Sequence, residues 1–458
     1  MKRILLLLLA VAVSHVVMAQ SSREEVDARP DVVISTMTVY SGPYYTTPEA
    51  KAPKGYTPFY MTGYLRHGSR YESRPKYPTE AVEYFRKAAE HNLLTPLGKR
   101  VAEFMERHYE RHQKRIGDLT RVGYDQHLGI GGRMCERFPQ IFADGKCVRS
   151  LGSMRMRSTI SMVAFNEGLK ERNPRLKTDM VSSFEFADII RPQDADSNPR
   201  YTIEEQVAYE NFLEEGISQP LHAWSNTLDM DHCKRALFTD PDKFFALFDV
   251  VPFKIMDNIY KRLSFAQNFG EYDRELVDAV FTADERYAIY RHEACMWWYR
   301  CASASYPQLA NTLSESRIMF DYFIENIESA IAGNDNKAAD LLFGHDYYLI
   351  TIPTILGMDG LPLTLGAGNE LQDNPAKAVE ITAEMWRGYK ITPKAANAVL
   401  VLYRHKSGKG DVLVRALLNE RDVTLPLEAV APHFYKWEDV KKLIRTRLDE
   451  VDRLKVAK

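Results

Sequence analysis

The sequence has 458 residues, with 60 Lys and Arg against 62 Asp and Glu, and its pI is about 6.7. Proteins that bind nucleic acid usually carry a strong excess of positive charge, so this near-neutral balance argues against a nucleic-acid partner. The length suffices for one large domain with an insertion or for two domains of ordinary size.

The first residues have the pattern of a secretory signal peptide. Met1, Lys2 and Arg3 precede an unbroken apolar run at residues 4–13, and Ala19 ends the segment. The run is too short for a permanent membrane anchor, and no other stretch has the roughly 18 apolar residues that a membrane-spanning helix needs. We therefore expect removal of residues 1–19, export to the periplasm or the medium, and no stable membrane insertion.

Five cysteines follow the predicted signal peptide, and in an oxidising compartment up to four of them could pair. They are Cys135, Cys147, Cys233, Cys295 and Cys301. No two of them have the two-residue spacing of a structural zinc site, so the sequence predicts no metal.

Residues 20–55 show no sustained period and predict an extended N-terminal segment. Short apolar runs at 60–65 and 147–151 then predict buried strands, and they alternate with amphipathic patterns typical of helices. These helical patterns lie at 79–88, 97–115, 120–142 and 158–170. Alternation of this kind favours an α/β sheet with helices on its faces. A glycine-rich stretch at 128–132 predicts a break in the third of these helices.

Strand signals nearly vanish between residues 185 and 332, where long aromatic-rich helical patterns replace them. Strands are predicted again at 338–344, 398–403 and 412–418, and a last helix at about 436–456. The predicted organisation is therefore an α/β core made of residues 56–184 and 333–458. A helical cap domain of residues 185–332 interrupts it.

Arg66, His67, Gly68, Ser69 and Arg70 directly follow the first predicted strand of the core. The planar guanidinium groups match phosphate oxygens, and an imidazole nitrogen between them can attack phosphorus. A polar loop at the end of a strand is also an ordinary structural feature, so these residues alone leave both interpretations open.

The Arg66–Arg70 segment resembles the RHGxRxP signature of the histidine acid phosphatases, a family that includes phytases and multiple inositol polyphosphate phosphatases. Further segments resemble the family's motifs in the same order along the chain. They are residues 94–98, the region 119–133 with Gln126 and His127, the segment from Arg157 to Leu169, the His345-Asp346 pair and the two strands near 399–419.

The resemblance implies a phosphoglycerate mutase-like α/β core covered by a helical cap, and a phosphomonoesterase that needs no cofactor or metal. It implies that His67 is the nucleophile and Asp346 the proton donor. The residues that it implies for phosphate binding are Arg66, Arg70, Arg157 and His345. His127 is interpreted as a core residue, and Arg155 as an outer contact for a polyanionic substrate.

Two departures from the family's pattern stand near the site. Glu72 replaces the expected proline, and we interpret it as an outward-facing, solvated residue. His345-Asp346-Tyr347 stands where inositol polyphosphate phosphatases commonly have His-Ala-Glu. His292 and Glu293 are interpreted as structural residues rather than metal ligands, because no further ligand follows at a supporting spacing.

Several functions agree with these residues. The resemblance favours a phosphorylated small molecule as the partner, with inositol polyphosphates as the substrates, and a broad-specificity acid phosphatase is the enzymatic alternative. Positive charge on the cap wall that faces the site would favour the first, and an apolar rim the second. A protein that binds phosphorylated ligands without turnover, or a phosphotransferase, are further alternatives, although His67 and Asp346 are both present.

Overall fold

The computed structural model describes residues 20–40, 42, 49–191, 202–303, 312–333, 336–363 and 370–454. The predicted signal peptide lies outside these ranges. Within them, no helix is both long and apolar enough to span a membrane.

A single sheet of eight strands forms the centre of the fold. In chain order the strands are β1 (Tyr56–Arg66), β2 (Cys147–Gly152), β3 (Lys177–Ser182), β4 (Lys337–Gly344), β5 (Asn397–His405), β6 (Leu413–Leu418), β7 (Arg421–Asp422) and β8 (Tyr435–Lys436). Their order across the sheet is β3-β2-β4-β1-β5-β6-β7, and β8 pairs with β6. Strands β3, β2, β4 and β1 are parallel to one another. The pairs β1–β5, β5–β6, β6–β7 and β6–β8 are antiparallel.

Both faces of the sheet are buried along its central strands β4, β1, β5 and β6, which explains why these strands read as nearly continuous apolar runs, whereas the edge strand β3 is largely exposed. Tyr60 and Tyr64 of β1 point to one core, and Met61 and Leu65 point to the other. The helices that cover the first face include Arg317–Ala332, Asp346–Leu356 and Trp437–Leu454, and those that cover the second are Arg121–Arg137 and Met156–Arg172. The expected α/β fold is confirmed.

Helices fill the described chain between β3 and β4, where no strand occurs. They are Ala187–Ile190, Ile203–Phe212, Gln219–Ser225, Asp231–Leu237, Pro241–Phe245, Pro252–Phe265, Arg274–Val280, Ala283–Trp297 and Arg317–Ala332, with single turns of 3-10 helix at Phe184–Phe186 and Ala266–Phe269 and of π-helix at Leu213–Ser218 and Trp298–Ala302. Most of them share a third apolar core with Lys76–Glu90, Pro96–His112 and Pro375–Met385. Short segments at Met358–Gly360, Glu370–Asp373 and Gly388–Ile391 complete the helices. The division into domains stays a prediction.

The sequence predicts an extended N-terminal segment, and for the described residues 20–40 this prediction is wrong. The segment begins with the helix Ser22–Ala28, which starts with a capping box between Ser21 and Glu24, and continues as the 3-10 helix Pro30–Met37. Val26 and Val33 are buried in the third core. The segment therefore packs as part of the helical region, because its few apolar residues find partners there that the local pattern does not reveal.

The glycine-rich stretch does not break its helix. Arg121–Arg137 runs through it without interruption, and the glycines let this helix pack closely against Met156–Arg172. A Cβ atom on Gly131 would lie 2.1 Å from the carbonyl oxygen of Phe165. The five cysteines are all unpaired in this structure.

We expect Gly131→Ala to destabilise the protein by at least about 2 kcal/mol, because its methyl group would overlap backbone of the facing helix. Gly129→Ala is the matched control in the same helix, since its Cβ would meet only the end of the flexible Arg133 side chain. That change should be neutral or stabilise by about 0.5–1 kcal/mol through helix propensity. Urea unfolding measures both, and equal stabilities of the two variants would contradict the close packing.

Candidate active site

The loops that follow β1 and β4 lie side by side at the carboxyl ends of these strands. The parallel register pairs Arg66 with Gly344, and the backbone N–H of His67 donates to the carbonyl oxygen of Gly344 at 2.9 Å. The rings of His67 and His345 therefore meet edge to face, with their centroids 5.5 Å apart. Residues far apart in sequence come together because parallel strands end at the same edge of a sheet.

The third strand that ends at this edge is β2, and the residues that follow it include Ser153 and Arg157. The N–H of Ser153 donates to the carbonyl oxygen of Phe343, and its Oγ lies 3.0 Å from Nε2 of His345. Arg157 stands in the first turn of the helix Met156–Arg172 that follows. The backbone N–H of His345 donates to the hydroxyl of Tyr64, which fixes the start of the last loop.

His67 is buried and its ring is oriented by one hydrogen bond. Nδ1 lies 2.9 Å from the carbonyl oxygen of Gly68, which can only accept, so Nδ1 carries the proton. Burial, followed by the charge of Arg157, holds the pKa of His67 well below its usual range. The imidazole is therefore neutral, and its Nε2 keeps a free lone pair for attack on an electrophile.

Gly68 is required by close packing rather than by an unusual turn. Its φ angle is not positive, and a Cβ atom there would lie 2.3 Å from the carbonyl oxygen of Gly123. Its N–H donates to Oγ of Ser161, and His127 lies beneath the loop with Nε2 2.9 Å from the carbonyl oxygen of Arg66. His127 is fully buried, as expected of a core residue.

The Arg66 guanidinium is held from three directions. It donates to the carbonyl oxygens of Thr36 and Thr392, the latter at 2.6 Å, and to Oδ2 of Asp346 at 2.6 Å. Thr36 belongs to the N-terminal segment and Thr392 to the loop before β5, so two chain segments without a recognisable motif fix the orientation of this arginine. Sequence reasoning missed both, because a backbone carbonyl leaves no trace in residue type.

Arg66, Arg70 and Arg157 share one feature that points to a ligand. The Nε atom of each is buried and has no hydrogen-bond partner among the described residues. Burial lowers the pKa of all three guanidinium groups, and for Arg157 the charge of Arg70 lowers it further. Three neighbouring like charges with buried, unused donors are costly to the protein alone, and an oxyanion would satisfy them.

Asp346 begins the helix Asp346–Leu356 and faces the same cluster. Burial alone would raise the pKa of its carboxyl group, but Arg66, Arg70 and Arg157 together hold that pKa below its usual range. The carboxylate is therefore ionised beside the cations, and only added negative charge in the cluster would favour its protonated form.

A cavity of about 730 Å³ opens above these residues. Its other wall belongs to the helical region and is strongly charged rather than apolar. The cationic side chains around the cavity, besides the three arginines already named, are Arg74, Lys76, Arg155, Arg191, Lys254, Lys261, Arg262 and Arg300. The volume is that of a small-molecule site, and the charge favours a polyanion.

Asp257, His292 and Glu293 in the cavity wall have ligand atoms within 4.8 Å of one another, a spacing that could hold a metal ion. Asp257 comes from another helix, so the spacing argument missed it. Lys261 already places its ammonium 2.7 Å from Asp257 and 2.5 Å from Glu293, so one cation pairs with both carboxylates. The group therefore fits an ammonium better than a metal. The ring nitrogens of His292 make no hydrogen bond among the described residues, so it is not a satisfied structural histidine.

Glu72 is buried, and its interpretation as a solvated surface residue is wrong. Its Oε1 lies 3.0 Å from Nε of Arg262 on the helix Pro252–Phe265 and 3.6 Å from Nε2 of His108. Although burial opposes ionisation, Arg262 and His108 lower the pKa of Glu72 to about 2. The glutamate thus joins the His67 loop to the helical region by a buried ion pair, and it also offsets the charge of Arg70.

Solved structures of known proteins share this architecture. The multiple inositol polyphosphate phosphatase of Bifidobacterium longum, in complex with inositol hexasulfate, is 20% identical and superposes with a TM-score of 0.69 over 89% of this chain and 96% of that chain. The fold is that of the histidine acid phosphatases. The phytase of D. castellii shares it with 15% identity and a TM-score of 0.63 over 91% of this chain and 85% of that chain. No family model matches the chain, and no curated protein matches it.

We expect Glu72→Gln to cost on the order of 3 kcal/mol at neutral pH, because the carboxylate has a folded-state pKa near 2 against an ordinary 4.5. Stability from a depressed carboxyl pKa is present above 4.5 and is lost as the pH falls toward 2. The difference between wild type and variant should therefore shrink in acid. Urea unfolding at about pH 7 and pH 3 measures it, with Glu90→Gln on the exposed face of Lys76–Glu90 as the control. A difference that is independent of pH would contradict the ion pair.

Proposed function

We propose that this protein is an exported phosphomonoesterase that forms a phosphohistidine on His67. The observation that carries the proposal is the convergence of three arginines, each with a buried and unused Nε donor, on a neutral histidine whose Nε2 is free. A phosphate dianion would use those donors and would place phosphorus in front of the nucleophile. The signal-peptide pattern of residues 1–19 supports export.

The proposed reaction has two steps. In the first, the lone pair of His67 Nε2 attacks phosphorus, the P–O bond to the alcohol breaks, and the leaving oxygen takes a proton from Asp346. In the second, water attacks the phosphohistidine, the N–P bond breaks, and the Asp346 carboxylate accepts the proton of that water. Inorganic phosphate then leaves, His67 is neutral again, and Asp346 releases to solvent the proton that it took up from solvent when the substrate bound. Arg66, Arg70, Arg157 and His345 would hold the phosphoryl oxygens throughout.

Asp346 needs the substrate in order to carry a proton. Its cationic neighbours keep the carboxyl group ionised, and a phosphate dianion bound to the same cations would raise its pKa. Binding of the substrate would thus protonate Asp346. The proton for the leaving group would therefore be available only when the substrate is correctly bound.

Inositol polyphosphates are the proposed substrates. The cavity is large enough for a ring with several phosphates, and its far wall is cationic rather than apolar. The Bifidobacterium longum protein with this fold is an inositol polyphosphate phosphatase and was solved with inositol hexasulfate, and the D. castellii protein is a phytase. An acid phosphatase of broad specificity would use the same residues but would have no need of this charged wall.

We expect wild-type protein to release phosphate from inositol hexakisphosphate, and His67→Ala to lower that rate by at least about a thousandfold. His91→Ala, which alters an exposed histidine at the end of Lys76–Glu90, should keep the wild-type rate. Denaturing wild type in mid-turnover with labelled substrate should also trap an acid-labile, base-stable phosphoenzyme. Turnover without a trapped phosphoenzyme, or equal rates for the two variants, would contradict the mechanism.

We expect Asp346→Asn to separate substrates by their leaving groups. Hydrolysis of an alkyl phosphate should fall by about 10²–10⁴-fold, because an alkoxide must be protonated as it leaves. Hydrolysis of 4-nitrophenyl phosphate should fall much less, because its phenolate leaves without a proton. Steady-state rates on both substrates measure the contrast, and an equal loss on the two would rule out Asp346 as the donor.

A further inference from the structure

Lys394 lies directly behind the proposed phosphate site and no motif pointed to it. It precedes β5, and its side chain is fully buried. Its backbone N–H donates to the carbonyl oxygen of Thr38 at 2.8 Å, and the N–H of the next residue, Ala395, donates to the carbonyl oxygen of His67 at 3.0 Å. Two hydrogen bonds thus fix its backbone between the N-terminal segment and the nucleophile loop.

The Nζ atom of Lys394 has no hydrogen-bond partner among the described residues, although it is buried. A lysine in this position is expensive, since a charged amine loses its hydration and a neutral one leaves its polar atoms unused. Methionine would fill the same space at lower cost. The position therefore calls for a role of the amine itself.

The groups that act electrostatically on Lys394 come from every loop of the site. They are Arg66, His67 and Arg70 after β1, Arg157 after β2, and Asp346 after β4. Burial first, and then the charges of Arg66 and Arg70, hold the pKa of Lys394 well below its usual range, and Asp346 acts in the opposite direction. The same cations that would bind phosphate therefore oppose protonation of the amine.

We propose that Lys394 is a positioning residue whose amine takes up a proton when an oxyanion occupies the three-arginine site, so that it adds positive charge behind the site only in the occupied state. This inference rests on the proposed function. The proton comes from solvent to the Nζ lone pair and returns to solvent when the anion leaves. No bond to the ligand forms, because Nζ is buried behind Arg66 and His67 rather than exposed in the cavity.

The physical reason is charge balance. The arginines alone make a neutral amine favourable, whereas the negative charges of a bound phosphate offset their repulsion and restore the affinity of Nζ for a proton. A switch of this kind avoids burying a further permanent cation in the free protein. It also supplies extra stabilisation to the bound dianion and to the phosphohistidine, where negative charge stays in place between the two steps.

The experiment is calorimetric titration of the full mature protein with inositol hexasulfate, whose sulfate esters carry no titratable proton near neutral pH. Repeating the titration in buffers of different ionisation enthalpy gives the number of protons taken up per ligand. We expect wild type to take up a measurable fraction of a proton, with a limit of about one from Lys394. Lys394→Met should reduce this uptake and weaken binding on the order of tenfold.

Two further variants separate the sources of the proton. Asp346→Asn should keep the share of the uptake that belongs to Lys394, and Lys377→Met, at an exposed lysine on Pro375–Met385, should match wild type in both uptake and affinity. A merely structural role of Lys394 would change affinity but not the number of protons. Lys394→Met with the wild-type uptake would therefore overturn the inference.

The wild-type titration tests the inference without any variant, because binding without proton uptake would refute the role of Lys394 and leave the proposed phosphatase standing. Poor folding of Lys394→Met would therefore not protect the inference. Absence of binding together with absence of phosphate release would overturn both. Binding with uptake that falls in Lys394→Met, while circular dichroism shows a folded variant, is the supporting result.

Discussion

The parallel pairing of β1 with β4 is the constraint on which the site depends. Its register sets Arg66 opposite Gly344, so the residues that follow each strand, His67 and His345, must lie next to each other. The pairing of β2 with β4 then brings Ser153 and Arg157 to the same edge. A shift of one residue in either register would turn the strand's side chains to the opposite face and separate the loops, and the two apolar cores make such a shift very costly.

Charge balance is the second principle of the site. Arg66, Arg70 and Arg157 lie together with buried Nε donors, and the Asp346 and Glu72 carboxylates offset part of their charge. The result is a cluster with unused donors, lowered pKa values and a buried, unpaired Lys394. Such an arrangement is unfavourable for folding by itself, and it is what binding of a dianion would relieve.

The helical region is joined to this chemistry by polar contacts as well as by packing. Glu72 leaves the nucleophile loop and pairs with Arg262 of a helix that lines the cavity. The N-terminal segment packs in the same apolar core and supplies the Thr36 carbonyl that holds Arg66. Segments on both sides of the cavity therefore determine the orientation of Arg66 and the position of the His67 loop.

The sequence by itself determined five of the eight strands, several helices of the core and the loop of His67, because apolar periodicity and a short polar motif are local properties. It placed Arg157, His345 and Asp346 through their order along the chain, and the fold brings all of them to one edge of the sheet. Only the tertiary structure decided the burial of Glu72, the helical N-terminal segment and the place of Lys394. All three features depend on contacts with partners distant in sequence or with backbone carbonyls. Contacts of these two kinds leave no periodic or compositional signal in the sequence.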